Sequence, residues 1–282
     1  MKYGVNLFLW TAAFTKKSLS LLPKVAEMGF DGVEVPLDLL DQIDVKGTKR
    51  ALVSNELGCT CCGVIGADRD LISEDESIRK SAKNYLKRCL QICSEWEADV
   101  LCGPLYSAVG KIPGRSRSKK EWNLAVEGLK EMATEAEKYG VTLAIEPLNR
   151  YETYFLNTAE DALKLIYEIN HPNLKLHLDT YHMNVEEKNF YKSIKQAGES
   201  LFHIHCCEND RGTPGTGHVD WQGVFKALHE INYNRWIVIE SFVPGVKEIA
   251  KAASIWREIC SSADILASDG LKFLKSMENS TV

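Results

Sequence analysis

Eight short apolar runs alternate with eight stretches of helical period, and that alternation restricts the chain to a fold built from βα units. The strand-like runs fall near residues 3–9, 31–36, 58–65, 99–104, 141–146, 174–179, 201–207 and 236–241. Helical stretches lie between them: Leu19–Met28, Lys46–Leu57, Ser77–Trp96, Lys119–Tyr139, Thr158–Ile169, Phe190–Ala197 and Trp221–Ile231. A last one runs from about Val246 to Met277, with a break near Ser261-Ser262. Gly29, Gly58 and Gly140 follow three of the helices as expected C-caps, and Thr158 opens another as N-cap with Asp161 in the first turn. Across 282 residues this is the arithmetic of one α/β domain, a (β/α)8 TIM barrel over residues 1–282. It predicts a helical extension over 246–277 and a frayed tail at 278–282. An open doubly wound sheet is the competitor, but the first βα turn lacks a glycine-rich phosphate fingerprint.

Composition limits the partners. A net charge of −5 argues against a nucleic-acid binder, which gains from a basic face. No run approaches the ~20 apolar residues of a membrane span. The start, Met1-Lys-Tyr-Gly-Val-Asn6, shows no secretory leader. Nine cysteines, an odd number, predict reduced thiols in the cytoplasm rather than a disulfide framework.

Four successive runs in the second half end in groups able to hold a metal. Glu146 closes the fifth, Asp179 the sixth, His205 the seventh and Glu240 the eighth. The C-terminal strand ends of a parallel barrel ring one opening, so these four would share a site. Three oxygens and one imidazole suit a divalent metal with hard-ligand preference, Mn2+ first and Co2+ or Mg2+ next, better than structural zinc. An octahedral ion would keep two positions open for a carbonyl and its neighbouring hydroxyl. Glu146 and Glu240, at the two ends of the ligand arc, would then flank the substrate. One would remove a proton α to the carbonyl and the other return it from the opposite face, through a cis-enediolate held at the metal.

Glu152, His182 and Arg211 follow Glu146, Asp179 and His205 on βα loops, where substrate contacts belong. With Glu146-x-x-Asn149-Arg150-Tyr151-Glu152, Leu156-Asn-Thr158, His177-Leu-Asp179-Thr-Tyr-His182-Met-Asn184, Gly215-x-Gly217 and Ile239-Glu240-Ser-Phe242, the chain resembles the ketose 3-epimerases. These are the D-tagatose, D-allulose (D-psicose) and L-ribulose 3-epimerases within the xylose-isomerase-like barrels. The resemblance spans about residues 1–258 and is densest over 140–242. It implies metal binding by Glu146, Asp179, His205 and Glu240, with Glu146 and Glu240 as the acid/base pair. Glu152, His182 and Arg211 would bind the O1–O2 end of a free ketose such as D-tagatose, D-fructose or D-allulose. A looser apolar wall for O4–O6 would come from Phe8, Trp10, Cys62, Tyr106 and Phe242. A homodimer or homotetramer is implied as well. The segment Gly103-Pro-Leu-Tyr106 departs from the usual sequence of the allulose enzymes, which bears on substrate preference.

Other readings of these residues stay open. His177 and His203 lie one layer below Asp179 and His205 and read as core or supporting histidines. Cys207 alternates with His205 and reads as a small buried side chain, although a thiolate ligand there would favour zinc. The basic run from Lys111 to Lys120 reads as a solvated loop, with a phosphate anchor as the alternative. The same metal barrel could serve a sugar or sugar-phosphate isomerase, a hydroxypyruvate isomerase or an inosose dehydratase. An apurinic-site endonuclease or a non-catalytic carbohydrate-binding protein fits the residues less well.

Overall fold

The computed structural model describes residues 1–280. Eight parallel strands close into one barrel in chain order. They are β1 (Lys2–Asn6), β2 (Gly32–Pro36), β3 (Gly58–Cys62), β4 (Val100–Gly103), β5 (Thr142–Ile145), β6 (Leu174–Asp179), β7 (Leu201–Cys206) and β8 (Trp236–Ile239). The last strand returns to the first, pairing Lys2 with Trp236 and Val5 with Ile239. Around the barrel stand α1 (Leu21–Glu27), α2 (Val45–Ser54), α3 (Glu76–Glu95), α4 (Lys119–Lys138) and α5 (Ala159–Ile169). They continue with α6 (Thr180–Glu186), α7 (Phe190–Ala197), α8 (Trp221–Glu230), α9 (Lys247–Ala252) and α10 (Ala263–Ser280). The predicted single-domain (β/α)8 architecture is the observed one. Among the described residues no helix is long and apolar enough to cross a membrane.

The core forms because each helix turns one stripe inward. In α5 the buried side chains are Ala159, Ala162, Leu163, Leu165, Ile166 and Ile169, a helical spacing. Each large apolar side chain so buried contributes about 1.5–3 kcal/mol before entropy is set against it. At the barrel's N-terminal end the Trp236 indole lies across the starts of β2 and β3. A Cβ on Gly32 would stand 2.6 Å from that ring and 2.5 Å from the Gly58 carbonyl oxygen. Gly58 is therefore the first residue of β3 and not a C-cap; Glu56 takes the left-handed turn after α2 instead (φ 54°). Gly29 and Gly140 do take left-handed turns, at φ 84° and 66°.

Three other local features differ from expectation. Leu7–Leu9 is a 3-10 turn rather than more strand, because Asn6 Oδ1 accepts the Phe8 amide proton and ends β1. Asp179 caps the short helix α6, which the apolar pattern did not announce. The expected frayed tail is helical through Ser280, and Glu278 in it is anchored by the Met1 amine (2.9 Å) and the Tyr3 hydroxyl (2.6 Å). Thr281 and Val282, also assigned to that tail, lie outside the described residues.

The basic run before α4 is spent on ion pairs. Lys111 meets Asp70, Arg115 grips Glu121 through both terminal nitrogens, Arg117 meets Asp161, and Lys120 meets Glu74. This arrangement favours the structural reading of the loop over a phosphate anchor. Glu121 completes a capping box with Ser118 at the start of α4. The Arg115 fork holds its carboxyl well below the usual carboxylate range against the opposing effect of burial, aided by Ser118 and Tyr154. A depressed carboxylate stabilises the fold above its unfolded pKa of about 4.3. That contribution is lost as pH falls towards the folded value. Glu121→Gln is expected to cost about 1–3 kcal/mol at pH 7. Its melting temperature should converge on that of the wild type in acid; parallel melting curves down to pH 3 would refute the assignment.

Candidate metal and active site

The interior layer at the C-terminal end of the strands is polar, and Glu34 on β2 organises it. Fully buried, its carboxylate accepts from Asn6 Nδ2 (2.9 Å), Thr60 Oγ1 (3.0 Å) and Cys102 Sγ (3.2 Å). His205 Nε2 lies 2.6 Å from Oε1 and His203 Nε2 lies 2.7 Å from Oε2. Burial would raise the pKa of Glu34, but His205 and His203 outweigh it and hold the carboxyl well below its ordinary range. With Nε2 directed at Glu34, the other ring nitrogen of His205 lies 3.3 Å from Glu240 Oε2 and 3.9 Å from Asp179 Oδ2.

That nitrogen completes a cluster. Glu146, Asp179, His205 and Glu240 each offer one ligand atom, and these atoms all lie within 4.8 Å of one another. Asp179 closes β6, whereas Glu146 and Glu240 stand one residue beyond β5 and β8. Glu146 Oε1 and His205 Nδ1 are buried without a hydrogen-bond partner in the protein. A buried carboxylate oxygen without a partner, beside two more carboxylates and an imidazole, fits a divalent cation bound through oxygen and nitrogen.

A cationic side chain is already there. Arg211, in the left-handed region at φ 66°, donates through Nη1 to Asp179 Oδ2 (2.5 Å) and Glu240 Oε2 (3.0 Å). Its guanidinium stacks on Tyr181 and Phe242. The loop carrying it is tied down by Glu208, a buried carboxylate that accepts from the Gly215 and Val219 amides and from Trp221 Nε1. Among the acids, burial and then the neighbouring Glu240 and Asp179 push Glu146 well above its ordinary pKa, with His205 and Arg211 opposing. For Glu240, burial acts upward too, but His205 and Arg211 prevail and keep it low. The neighbours of the two carboxylates thus push them in opposite directions.

A cavity of about 350 Å3 opens over this cluster. Glu146, Glu240, Glu152, His182 and Arg211 line it together. His182 accepts the Asn149 amide proton at Nδ1, and its Nε2 lies 3.7 Å from Glu146 Oε1. Burial and the Arg211 charge lower its pKa, so the ring is neutral. Burial pushes Glu152 upward. Of the five side chains expected on the apolar wall, Phe8 and Phe242 line the cavity. The other three point elsewhere. Trp10 donates its indole N–H to Asp264 of α10, Cys62 receives the Asn6 amide, and Tyr106 is fully buried with its hydroxyl on the Glu146 carbonyl oxygen. Pro104, Leu148 and Ile249 join the lining, together with the charged Asp38 and Arg69, which stand between this cavity and a second one bordered by Tyr85.

His177 and His203 are fully buried beneath the cluster, with the His177 ring edge-on to His203 and His205. Cys207 Sγ lies 3.5 Å from Asp179 Oδ1, and burial followed by Asp179 drives its thiol well above the ordinary cysteine pKa. Among the described residues Cys207 belongs to none of the groups whose ligand atoms lie together, and its side chain packs against Asp179 as the small buried residue expected. Glu34 and Asn6, which also donates to Glu240 Oε1 (3.1 Å), were missed. The sequence carries no sufficient signal for Glu34, because an acid between Val33 and Val35 reads as the solvent side of an alternating strand.

Closed parallel topology with acids and an imidazole at successive strand ends defines a (β/α)8 barrel with a metal-capable mouth. Residues 22–275 match the family model of the xylose isomerase-like TIM barrel. The "Probable ketose 3-epimerase" of Synechocystis sp. is 36% identical over 275 residues, 98% of this chain and 96% of the relative. The ketose 3-epimerase of Arthrobacter globiformis is 34% identical over 98% of this chain and 96% of its own length. The crystal structure of D-allulose 3-epimerase from Methylomonas sp. in complex with D-allulose superposes with a TM-score of 0.94. It is 32% identical and the match covers 98% of this chain and 97% of that one. The chain belongs to the xylose isomerase-like TIM barrels and, within them, to the ketose 3-epimerases.

Proposed function

We propose that the protein inverts C3 of a free ketose by two-carboxylate proton transfer, with Glu146, Asp179, His205 and Glu240 holding a divalent cation. The observation that carries this is the pairing of Glu146 and Glu240 on one cavity, each belonging both to its lining and to the ligand cluster. When bound, the cation withdraws negative charge from the ketose oxygens as a Lewis acid. The remaining work falls to the side chains. Glu146 and Glu240 approach the substrate from β5 and β8, so one takes the C3 proton and the other supplies one from the opposite side. Arg211, His182 and Glu152 bind the O1–O2 end, the cationic guanidinium favouring oxygens that gain charge in the reaction. Phe8 and Phe242 help keep water from the exposed C3 position.

Mn2+ is the cation we favour, since three carboxylates and one imidazole suit it. A cytoplasmic setting is supported by nine cysteines that all remain free thiols. Assembly as a homodimer or homotetramer rests on the resemblance alone. A sugar phosphate is disfavoured by the ion pairs that engage Lys111, Arg115, Arg117 and Lys120.

Proton NMR in D2O tests the reading. Metal-stripped protein, with and without added Mn2+, is incubated with D-fructose, D-tagatose or L-ribulose. The expected result is Mn2+-dependent loss of the C3–H signal as the C3 epimer grows in. Exchange at C1 with aldose formation would reassign the enzyme as an isomerase, and no exchange in any sugar would refute the ketose reading.

A further inference from the structure

We propose that Asp38 and Arg69 form a polar subsite that reads the hydroxyls at the C5–C6 end of the sugar. The inference deepens the ketose reading and rests on it. The reacting groups come from the ends of β5–β8, on one side of the barrel mouth, and the cavity continues from them to the loops after β2 and β3. Asp38 follows β2 by two residues and Arg69 follows β3 by seven. With O1 and O2 held by Glu152, His182 and Arg211, and C3 between Glu146 and Glu240, the remaining carbons extend towards this pair.

The loops after β3 and β4 that border the pair add apolar side chains to the lining, Val64, Pro104 and Val109. A few polar groups in an apolar wall are what fix a ligand's orientation. Both charged side chains are half-buried, and among the described residues neither makes a hydrogen bond or ion pair through its side chain. Arg69 Nε is fully buried and has no partner. The guanidinium is nonetheless fixed, lying 4.0 Å from the centre of the Tyr85 ring. Burial moves the Asp38 carboxyl up to about 6 while Arg69 opposes it, so the group is mostly ionised at neutral pH.

A guanidinium only donates and a carboxylate only accepts, whereas a hydroxyl does both. One terminal hydroxyl, or a neighbouring pair, can therefore satisfy Asp38 and Arg69 together. A methyl group would leave both unpaired, and a site built to hydrogen-bond a hydroxyl discriminates strongly against its absence. A terminal phosphate would gain from Arg69 but meet a carboxylate beside it. The resemblance described above implied an apolar wall for O4–O6; this chain places a donor and an acceptor there.

The test is a cycle that removes the hydroxyl from the sugar and its partner from the protein. kcat/KM is measured for D-fructose or D-tagatose, whichever the wild type turns over faster, and for its 6-deoxy counterpart. Wild type, Asp38→Ala and Arg69→Met are compared, with melting temperatures as a check on folding. The wild type should favour the parent sugar by about tenfold or more. Each variant should lose about that factor on the parent, chiefly through KM, and less than about threefold on the deoxy sugar. Collapse of the ratio supports the subsite even if a variant is somewhat less stable. Equal losses on both sugars in both variants, no preference in the wild type, or faster turnover of the 6-phosphate would overturn it. If the wild type exchanges C3 of neither sugar, the ketose reading falls and the subsite with it. An unchanged ratio alongside normal exchange would overturn the subsite alone.

Discussion

Glu146→Gln and Glu240→Gln are each expected to abolish epimerisation, by about 10^2- to 10^4-fold, while leaving one half of the reaction intact. Glutamine is close in shape to glutamate and keeps a carbonyl oxygen for a cation, but it cannot carry a proton between solvent and C3. If the two carboxylates serve opposite faces, each variant retains the carboxylate that deprotonates one of the two epimers. In D2O, one variant should wash out the C3 proton of the ketose and the other that of its epimer, neither producing the opposite configuration. The measurement is NMR from both directions of the equilibrium. Washout of both epimers by a single variant would show that one carboxylate handles both faces and would sink the two-carboxylate mechanism. Retention of sugar affinity without any exchange in the wild type would point instead to a binding protein.

Glu34→Gln should weaken metal binding by about 10- to 100-fold while sparing more of the turnover at saturating Mn2+. Glu34 touches neither the cavity nor, in our reading, the cation. Its role is to fix His205, whose Nε2 lies 2.6 Å away, so that Nδ1 looks towards Glu146, Asp179 and Glu240. A glutamine offers an amide NH2 where the carboxylate now accepts, so it must turn a donor towards Asn6, Thr60, Cys102 or one of the histidines. Direct titration of Mn2+ into metal-free protein reads the effect apart from catalysis. Unchanged affinity in a variant that melts normally would show that His205 is held without Glu34. Loss of folding would instead mark the network as a structural element.

The barrel was legible because parallel strands buried on both faces leave continuous apolar runs with abrupt ends. Those abrupt ends also exposed Glu146, Asp179, His205 and Glu240, which the structure gathers within 4.8 Å. Glu34 was hidden by the same logic: it sits inside an alternating Val33-Glu34-Val35 run, where an acid ordinarily marks a solvent face. Only closure of the barrel turns that face inward. Helix α6 was hidden by its length and by Asp179, one residue that both ends β6 and caps the helix. Trp10 and Tyr106 show a further limit. Both follow strands at loop positions where substrate contacts are expected, but their polar atoms are drawn elsewhere, to Asp264 and to the Glu146 carbonyl. Asp38 and Arg69 carry no local signal, since only the cavity shared by two loops brings them together.

If Glu146, Asp179, His205 and Glu240 hold a cation as proposed, Arg211 sets the terms on which it would enter. Three carboxylates this close would repel one another in an apolar interior and oppose folding without a compensating cation. The guanidinium supplies such a charge by pairing with Asp179 and Glu240, so the cluster has an internal counter-ion without a metal. The incoming ion must then compete with an internal ion pair for Asp179 and Glu240, and on its departure the arginine can return. A site organised this way should exchange its cation more readily than the same four ligands would without the arginine. Its occupancy should follow the supply of metal around the protein, and the fold should persist when that supply fails.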